Sequence, residues 1–223
     1  MLAVIVVSYN TRDLLRDCLR SVSTALERSR LQGQLWVVDN ASPDGSAEMV
    51  REEFPLAHLI ASPGNKGFAG ANNMALRAVA SGQRPEAVLF LNPDTLIEND
   101  ALGHMYRALI DNLRVGAVGA ALVYQDGGFQ HSAFRFPDLF QVFFDLFPVH
   151  HRLTDSRLNG RYPRAWYARG NPFPIDHPLG AAFMVRWDTL QEVGLLDERF
   201  FIYCEEIDWC MRCRRKGWDI LCV

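Results

Sequence analysis

Four short apolar runs, each followed by an amphipathic stretch, constrain this chain more than any other feature. Residues 2–7 (Leu-Ala-Val-Ile-Val-Val) are continuous and β-branched, and read as a strand buried on both faces. Residues 35–38, His58–Ala61 and Ala87–Leu91 repeat the signal. Helical patterns lie between them. Leu14, Leu15, Cys18, Leu19, Val22, Ala25 and Leu26 fall on one helical face, with Asn10 or Thr11 placed to cap it. A Ser-Pro-Asp-Gly turn at 42–45 precedes a short helix over Ser46–Glu53. An Ala-rich helix is expected over 68–80 and another over 100–112. Strand and helix alternate, and no polar residue interrupts the strands. The pattern predicts an α/β fold: a mainly parallel sheet covered by helices on both faces.

The rhythm changes after Gly116. A strand is expected over 118–123, then a turn at Gln125-Asp126-Gly127-Gly128. Seven of the fourteen Phe residues fall between Phe129 and Phe147. Residues 152–176 carry little periodicity and read as a long loop of the kind that serves as a lid or binding loop. Regular structure returns with a strand over 181–185 and helices over 188–193 and 205–216. Gly217 then stands at a C-cap, and a last strand begins at 218.

Composition narrows the function classes. A net charge of −3 gives no general attraction to nucleic acid. No apolar run reaches the ~20 residues of a membrane span. The first run is too short for a signal-peptide core and has no basic leader, and five cysteines are an odd number for a disulfide framework. A reducing cytosol is the expected location.

Ligands of open parallel sheets bind beyond the carboxyl ends of the strands. Here those ends run into Ser8-Tyr9-Asn10, Asp39-Asn40-Ala41-Ser42, Gly64-Asn65-Lys66-Gly67 and Asn92-Pro93-Asp94. Asp94 reads either as a turn-capping residue or as a carboxylate holding Mg²⁺ or Mn²⁺ on a diphosphate. Such ions often use one or two carboxylates plus phosphate oxygens. Asp39 can form an Asx-turn with Ser42 or accept a hydrogen bond from a base or ribose. Lys66, between glycines, can reach phosphate or stay solvated. No Gly-x-Gly-x-x-Gly or Walker loop occurs. Glu205, Glu206 and Asp208 open a helix, where the dipole favours acids in any case. They also follow the apolar run Phe200-Phe201-Ile202-Tyr203, and acids leaving an apolar wall can gain a raised pKa suited to a general base. Cys210 and Cys213 have zinc-ligand spacing but sit within the expected helix, so with Cys204 and Cys222 they read better as packing residues. His150-His151 reads as solvated loop.

With these pieces in order, the chain resembles inverting glycosyltransferases of family 2, which have the GT-A fold, and most of all their rhamnosyltransferase-like branch. The resemblance lies in Ile-Val-Val-Ser-Tyr-Asn (5–10), Val-Val-Asp-Asn-Ala-Ser (37–42), Asn-Lys-Gly-Phe-Ala-Gly-Ala-Asn-Asn (65–73), Leu-Phe-Leu-Asn-Pro-Asp (89–94) and the stretch 196–217. It implies that Ser8 and Asp39 meet the nucleotide, with Tyr9 and Asn10 beside them. Asn65, Lys66, Gly67 and Asn72 would line the nucleotide-sugar pocket. Asn92 and Asp94 would stand at the family's Asp-x-Asp motif, with Asp94 carrying the metal. Glu206 would be the base, although Glu-Glu stands where Glu-Asp is common, which leaves Glu205 as an alternative. Asp208 would join the substrate-binding set.

The implied donor is a dTDP- or UDP-linked sugar, with rhamnose favoured. The implied acceptor is a glycan or lipid-linked hydroxyl, in cell-surface polysaccharide synthesis. A lipid-linked acceptor would bring the protein to the inner membrane face as a peripheral protein. Residues 1–115 would form the nucleotide-sugar half of a single domain spanning 1–223, and 116–223 the acceptor half. The family often adds a metal-binding His about two dozen residues beyond the acid pair. The chain stops at Val223, so either it is truncated at the C-terminus or the protein lacks that ligand, and weak metal binding and low activity are expected. Two competing readings are a nucleotidyltransferase and a catalytically weak nucleotide-sugar-binding domain. The first calls for a basic Gly-rich stretch after strand one, where Ser8-Tyr9-Asn10 stands. The second sits poorly with Asp39, Asp94 and Glu206 occurring together. The Phe-rich stretch can pack against the sheet or face a lipid-linked acceptor.

Overall fold

The computed structural model describes residues 1–139, 147 and 159–223. Phe140, Phe143, Phe144, His150, His151 and the first part of the 152–176 loop lie outside the described residues.

The first half follows the apolar pattern closely. Strands β1 (Leu2–Ser8), β2 (Gly33–Asp39), β3 (His58–Ala61) and β4 (Ala87–Leu91) pair in parallel, in the order β3-β2-β1-β4. Helices α1 (Arg12–Ser29), α2 (Ser46–Glu53), α3 (Gly67–Ala80) and α4 (Ala101–Ile110) connect and cover them. Every residue of β1 is buried, and its side chains alternate between two cores. Leu2, Val4 and Val6 meet Leu15 and Leu19 of α1, Met49 and Val50 of α2, and Leu102 and Leu109 of α4. Ala3, Ile5 and Val7 meet Ala71, Ala75 and Leu76 of α3. Burial of each Leu, Ile or Val of this kind contributes roughly 1.5–3 kcal/mol. That two-sided demand is why β1 and β4 carry no polar residue before their last position, whereas the less buried β2 and β3 admit Gln34 and His58.

The second half completes the sheet in a mixed direction. Its elements are β5 (Val115–Gly119), β6 (Leu122–Val123), β7 (Phe129–Gln130), β8 (Ala133–Phe134), α5 (Arg164–Tyr167), β9 (Phe173–Pro174) and β10 (His177–Pro178). They continue with β11 (Ala182–Arg186), α6 (Trp187–Val193), α7 (Glu205–Arg215) and β12 (Asp219–Cys222). The eight-stranded sheet runs β3-β2-β1-β4-β11-β5-β12-β9, and β11 is antiparallel to both of its neighbours. The expected strand 118–123 is therefore corrected to two pieces, β5 and β6. Part of the expected 152–176 loop carries α5 and β9. Glycines explain the first miss. A Cβ at Gly119 would lie 2.2 Å from Cβ of Pro178, and one at Gly116 would lie 2.8 Å from Cγ2 of Thr189. The sheet needs glycine at both places, although glycine lowers strand propensity.

In the Phe-rich stretch, Phe129, Phe134 and Phe136 pack against other rings of the protein. Phe129 meets Tyr167 edge-on at 4.9 Å, and Phe134 and Phe136 stack on buried His177 at 5.6 and 6.1 Å. Phe147 is exposed. Cys210, Cys213 and Cys222 are fully buried in the core with Trp209. Among the described residues, no helix is long and apolar enough to cross a membrane.

Candidate active site

Parallel register brings the first strand ends together. Ser8 pairs with Asp39, and Asp39 with Ala61. The chain leaves each strand along the same edge: the Asn40 amide donates to the Ser8 carbonyl, and the Ser62 amide to the Asp39 carbonyl, both at 2.8 Å. Ser8 is fully buried, its hydroxyl 2.8 Å from that of Thr11 at the start of α1. Asp39 is 4% exposed and divided in use. Its Oδ2 accepts the Ser42 amide at 3.2 Å, forming the Asx-turn, while its Oδ1 is buried without a partner. An unmet buried acceptor costs about 1–3 kcal/mol, so that oxygen is poised for a donor from outside. Asn10, at φ 57°, donates its amide to the Ser42 hydroxyl at 3.0 Å, and Tyr9 lies on the rim, half exposed.

The loop before α3 is shaped by amides. Asn65 Oδ1 accepts from the Gly67 amide at 2.9 Å and from Asn40 Nδ2 at 2.8 Å. Its side-chain oxygen therefore holds the turn. Lys66 is exposed at the helix N-terminus, a place that favours anions. Asn72 is buried. Its Nδ2 donates to the Phe68 carbonyl at 3.0 Å, and its Oδ1 has no partner. Asn40 was missed by sequence reasoning as a site residue. It is 3% exposed, and its side chain ties the end of β2 to this loop. Its position directly after a strand-terminal Asp was the available signal.

Beyond β4, the Asn92 amide donates to the Ala181 carbonyl at 2.9 Å. The Asn92 carbonyl accepts from the Cys18 thiol at 3.5 Å. Burial, reinforced by the charge of Asp94, pushes that thiol up to about 12, so it stays protonated as a donor. Asp94 itself is exposed. Among the described residues there is no group of three His, Cys, Asp or Glu able to hold a metal. A divalent cation here would rest on Asp94 and the oxygens of a diphosphate, which is an ordinary arrangement for Mg²⁺ or Mn²⁺.

The acid group opens α7. Tyr203 and Cys204 ahead of it have φ of 69° and 72°, a left-handed conformation that costs a non-glycine residue about 1–2 kcal/mol. The expectation of an apolar wall here is corrected, because Phe201, Ile202 and Tyr203 are all more than half exposed. Glu205 is buried at the start of the helix and Glu206 is partly buried, beside the segment that precedes β11. Glu205 is 5% exposed; burial, then the charge of Glu206, raises its carboxyl to about 7. Burial also raises Glu206, whose carboxyl packs near Gly180: a Cβ there would be 3.7 Å from Glu206 Cδ. Each acid leaves its Oε2 buried without a partner. Gly180 adjoins Ala181, whose carbonyl holds Asn92, so the acid pair and the Asn92-Pro93-Asp94 turn border one segment. Asp208 is committed elsewhere. It accepts Arg212 Nε at 2.8 Å, and Arg212 also donates to the carbonyls of Val193 and Leu195. Its carboxylate anchors α7 to the chain before it.

The chain is 26% identical, over 98% of its length, to a low-salt glycan biosynthesis hexosyltransferase of Haloferax volcanii, and spans 63% of that relative. It is also 26% identical to the N-acetylglucosaminyl-diphospho-decaprenol L-rhamnosyltransferase of Mycobacterium tuberculosis, covering 98% of this chain and 72% of that one. A mannosyltransferase from Pyrobaculum calidifontis, solved with GDP-Man and Mn²⁺, superposes on all of this chain and 56% of its own. The TM-score is 0.66 at 19% identity, a likeness of fold that supports GT-A architecture. The profile of the family described as "Glycosyl transferase family 2" matches residues 3–188, ending before Glu205 and Glu206. Because that match takes in most of the 223 residues, the chain belongs to glycosyltransferase family 2.

Proposed function

We propose that this chain transfers a sugar, with inversion, from a nucleotide diphosphate donor to a hydroxyl of a glycan or lipid-linked acceptor in cell-surface polysaccharide synthesis. The observation that carries the reading is the buried acid pair. Glu205 and Glu206 have raised pKa values and unpartnered oxygens beside the strand ends, a combination that supports a catalytic role. Asp39 Oδ1 supplies the matching vacancy for a nucleotide donor group.

The residues divide the work. Ser8, Asp39 and the 64–67 loop hold the nucleotide on the 1–115 half, and the acceptor approaches from the 116–223 half. Asp94, with Asn92 beside it, would hold Mg²⁺ or Mn²⁺, which offsets negative charge on the departing diphosphate. Glu206 is the less buried of the two acids and is the base. It takes the acceptor proton as the acceptor oxygen bonds to the anomeric carbon and the bond to the diphosphate breaks on the opposite face. A raised pKa makes it a stronger base than an ordinary carboxylate. Glu205 lies beside it, buried at the first turn of α7. The name of the mycobacterial relative favours rhamnose and a lipid-linked acceptor, and the motif resemblance favours dTDP-rhamnose as the donor. Such an acceptor would draw the protein to a membrane surface.

A panel of dTDP-, UDP- and GDP-sugars with Mn²⁺ tests this. Turnover of one donor, with release of its nucleoside diphosphate, is expected. Binding of no nucleotide and turnover of no donor would overturn it.

A further inference from the structure

One segment, 196–204, leads into the acid pair, and α3 holds it along its length. Asn73 Oδ1 accepts the Leu196 amide at 3.1 Å, and Asn73 Nδ2 donates to the Leu196 carbonyl at 2.8 Å. Glu198 accepts from Asn73 at 3.0 Å and from Arg77 at 2.7 Å. At the N-terminus of α3 the Phe68 amide donates to the Phe201 carbonyl at 2.7 Å. The fit there is tight. Gly67 has φ +68°, and a Cβ on it would lie 2.2 Å from the Phe201 oxygen. Two residues on, Tyr203 and Cys204 take the left-handed turn that starts α7 at Glu205.

The same loop is held from behind by Asn40. That side chain donates to Asn65 Oδ1 at 2.8 Å and to the Gly67 carbonyl at 3.2 Å, and accepts the Lys66 amide at 2.8 Å. Asn40 follows Asp39, the residue whose free oxygen faces the proposed nucleotide.

We infer that Asn40 and Gly67 are positioning residues that link the nucleotide end of the sheet, through the Phe201 carbonyl, to the turn that aims Glu205 and Glu206. Donor occupancy at Asp39 then tightens the 200–204 turn, and the base is aligned when a donor is present. The nucleotide part rests on the donor reading above.

Amide hydrogen exchange on the full chain tests the link, using Gly67→Ala, Asn40→Ala and wild type. Without ligand, both variants should exchange at least tenfold faster over 200–206, while the α4 peptide at 101–110 is unchanged and reports an intact fold. Unchanged 200–206 exchange in variants that fold would overturn the link. The second arm adds UDP, dTDP or GDP with Mn²⁺. A nucleotide that binds wild type by calorimetry should slow exchange at both 36–44 and 200–206. In the variants it should slow only 36–44. A bound nucleotide that leaves 200–206 of wild type unaffected overturns the inference, even if neither variant folds. Binding of no nucleotide overturns the donor reading instead, and the ligand-free arm keeps that result separate. With a donor in hand, Asn40→Ala should lose at least tenfold in kcat with KM for the donor within threefold. A loop that merely shapes the nucleotide site would raise KM instead, and that pattern would contradict positioning.

Discussion

Replacing Glu205 by Gln should stabilise the protein at neutral to alkaline pH and change little in acid. Glu205 is 5% exposed, and burial, with the charge of Glu206, raises its carboxyl from the ordinary 4.5 to about 7. In the unfolded chain it titrates near its ordinary value. Between those two values the native state keeps a proton that the unfolded state has lost. Stability therefore falls as pH rises through that window, and levels off above the folded value. At roughly 1.4 kcal/mol per pH unit, the deficit reaches about 3 kcal/mol. Gln has no charge to bury. Its advantage over wild type should grow from a small constant offset near pH 4.5 to about 3 kcal/mol near pH 8. Carboxyls held below their usual range, such as Asp197 by Arg199 and Glu198 by Asn73 and Arg77, act alike in both proteins and cancel. Urea unfolding of the two proteins across this range measures the difference. A gap that does not change with pH would refute the claim that Glu205 is held in its protonated form by burial.

Three further outcomes follow from the site and the core. Asp94→Asn should reduce the Mn²⁺-dependent gain in nucleotide affinity at least ~tenfold while leaving metal-free affinity alone, as read by calorimetry with and without the ion. Asp39→Ala removes both the acceptor for the Ser42 amide and the free oxygen. It should weaken every nucleotide by about tenfold or more in the same assay. Leu89→Ala, at a fully buried position of β4, should cost about 3 kcal/mol, lowering the urea midpoint without changing the slope.

The parallel half of the sheet was legible in the sequence chiefly because β1 and β4 are buried along their whole length and so are continuously apolar. His58–Ala61 and Ala87–Leu91 form as read, and Ser46–Glu53 is the expected helix. Direction was not legible: the apolar run Ala182–Arg186 would look the same in either orientation, and it inserts antiparallel between β4 and β5. Strand β5 was displaced in the reading because Gly116 and Gly119 weaken its propensity, whereas Pro178, Thr189 and Trp218 pack where their side chains would be. At the site, the Asx-turn reading of Asp39 holds for one oxygen, and the other is buried without a partner. Asp208 was grouped with the other acids, though an Arg four residues on was the visible sign of its ion pair. The contact of Gly67 with Phe201 joins segments far apart in the chain, and no local pattern announces it.

The most direct test of the account compares Glu206→Gln with wild type in two measurements on one preparation: sugar transfer from the donor found in the panel, and nucleotide binding. The account predicts that transfer falls by about a hundredfold or more while nucleotide affinity stays within threefold. Transfer at the wild-type rate would contradict Glu206 as the base.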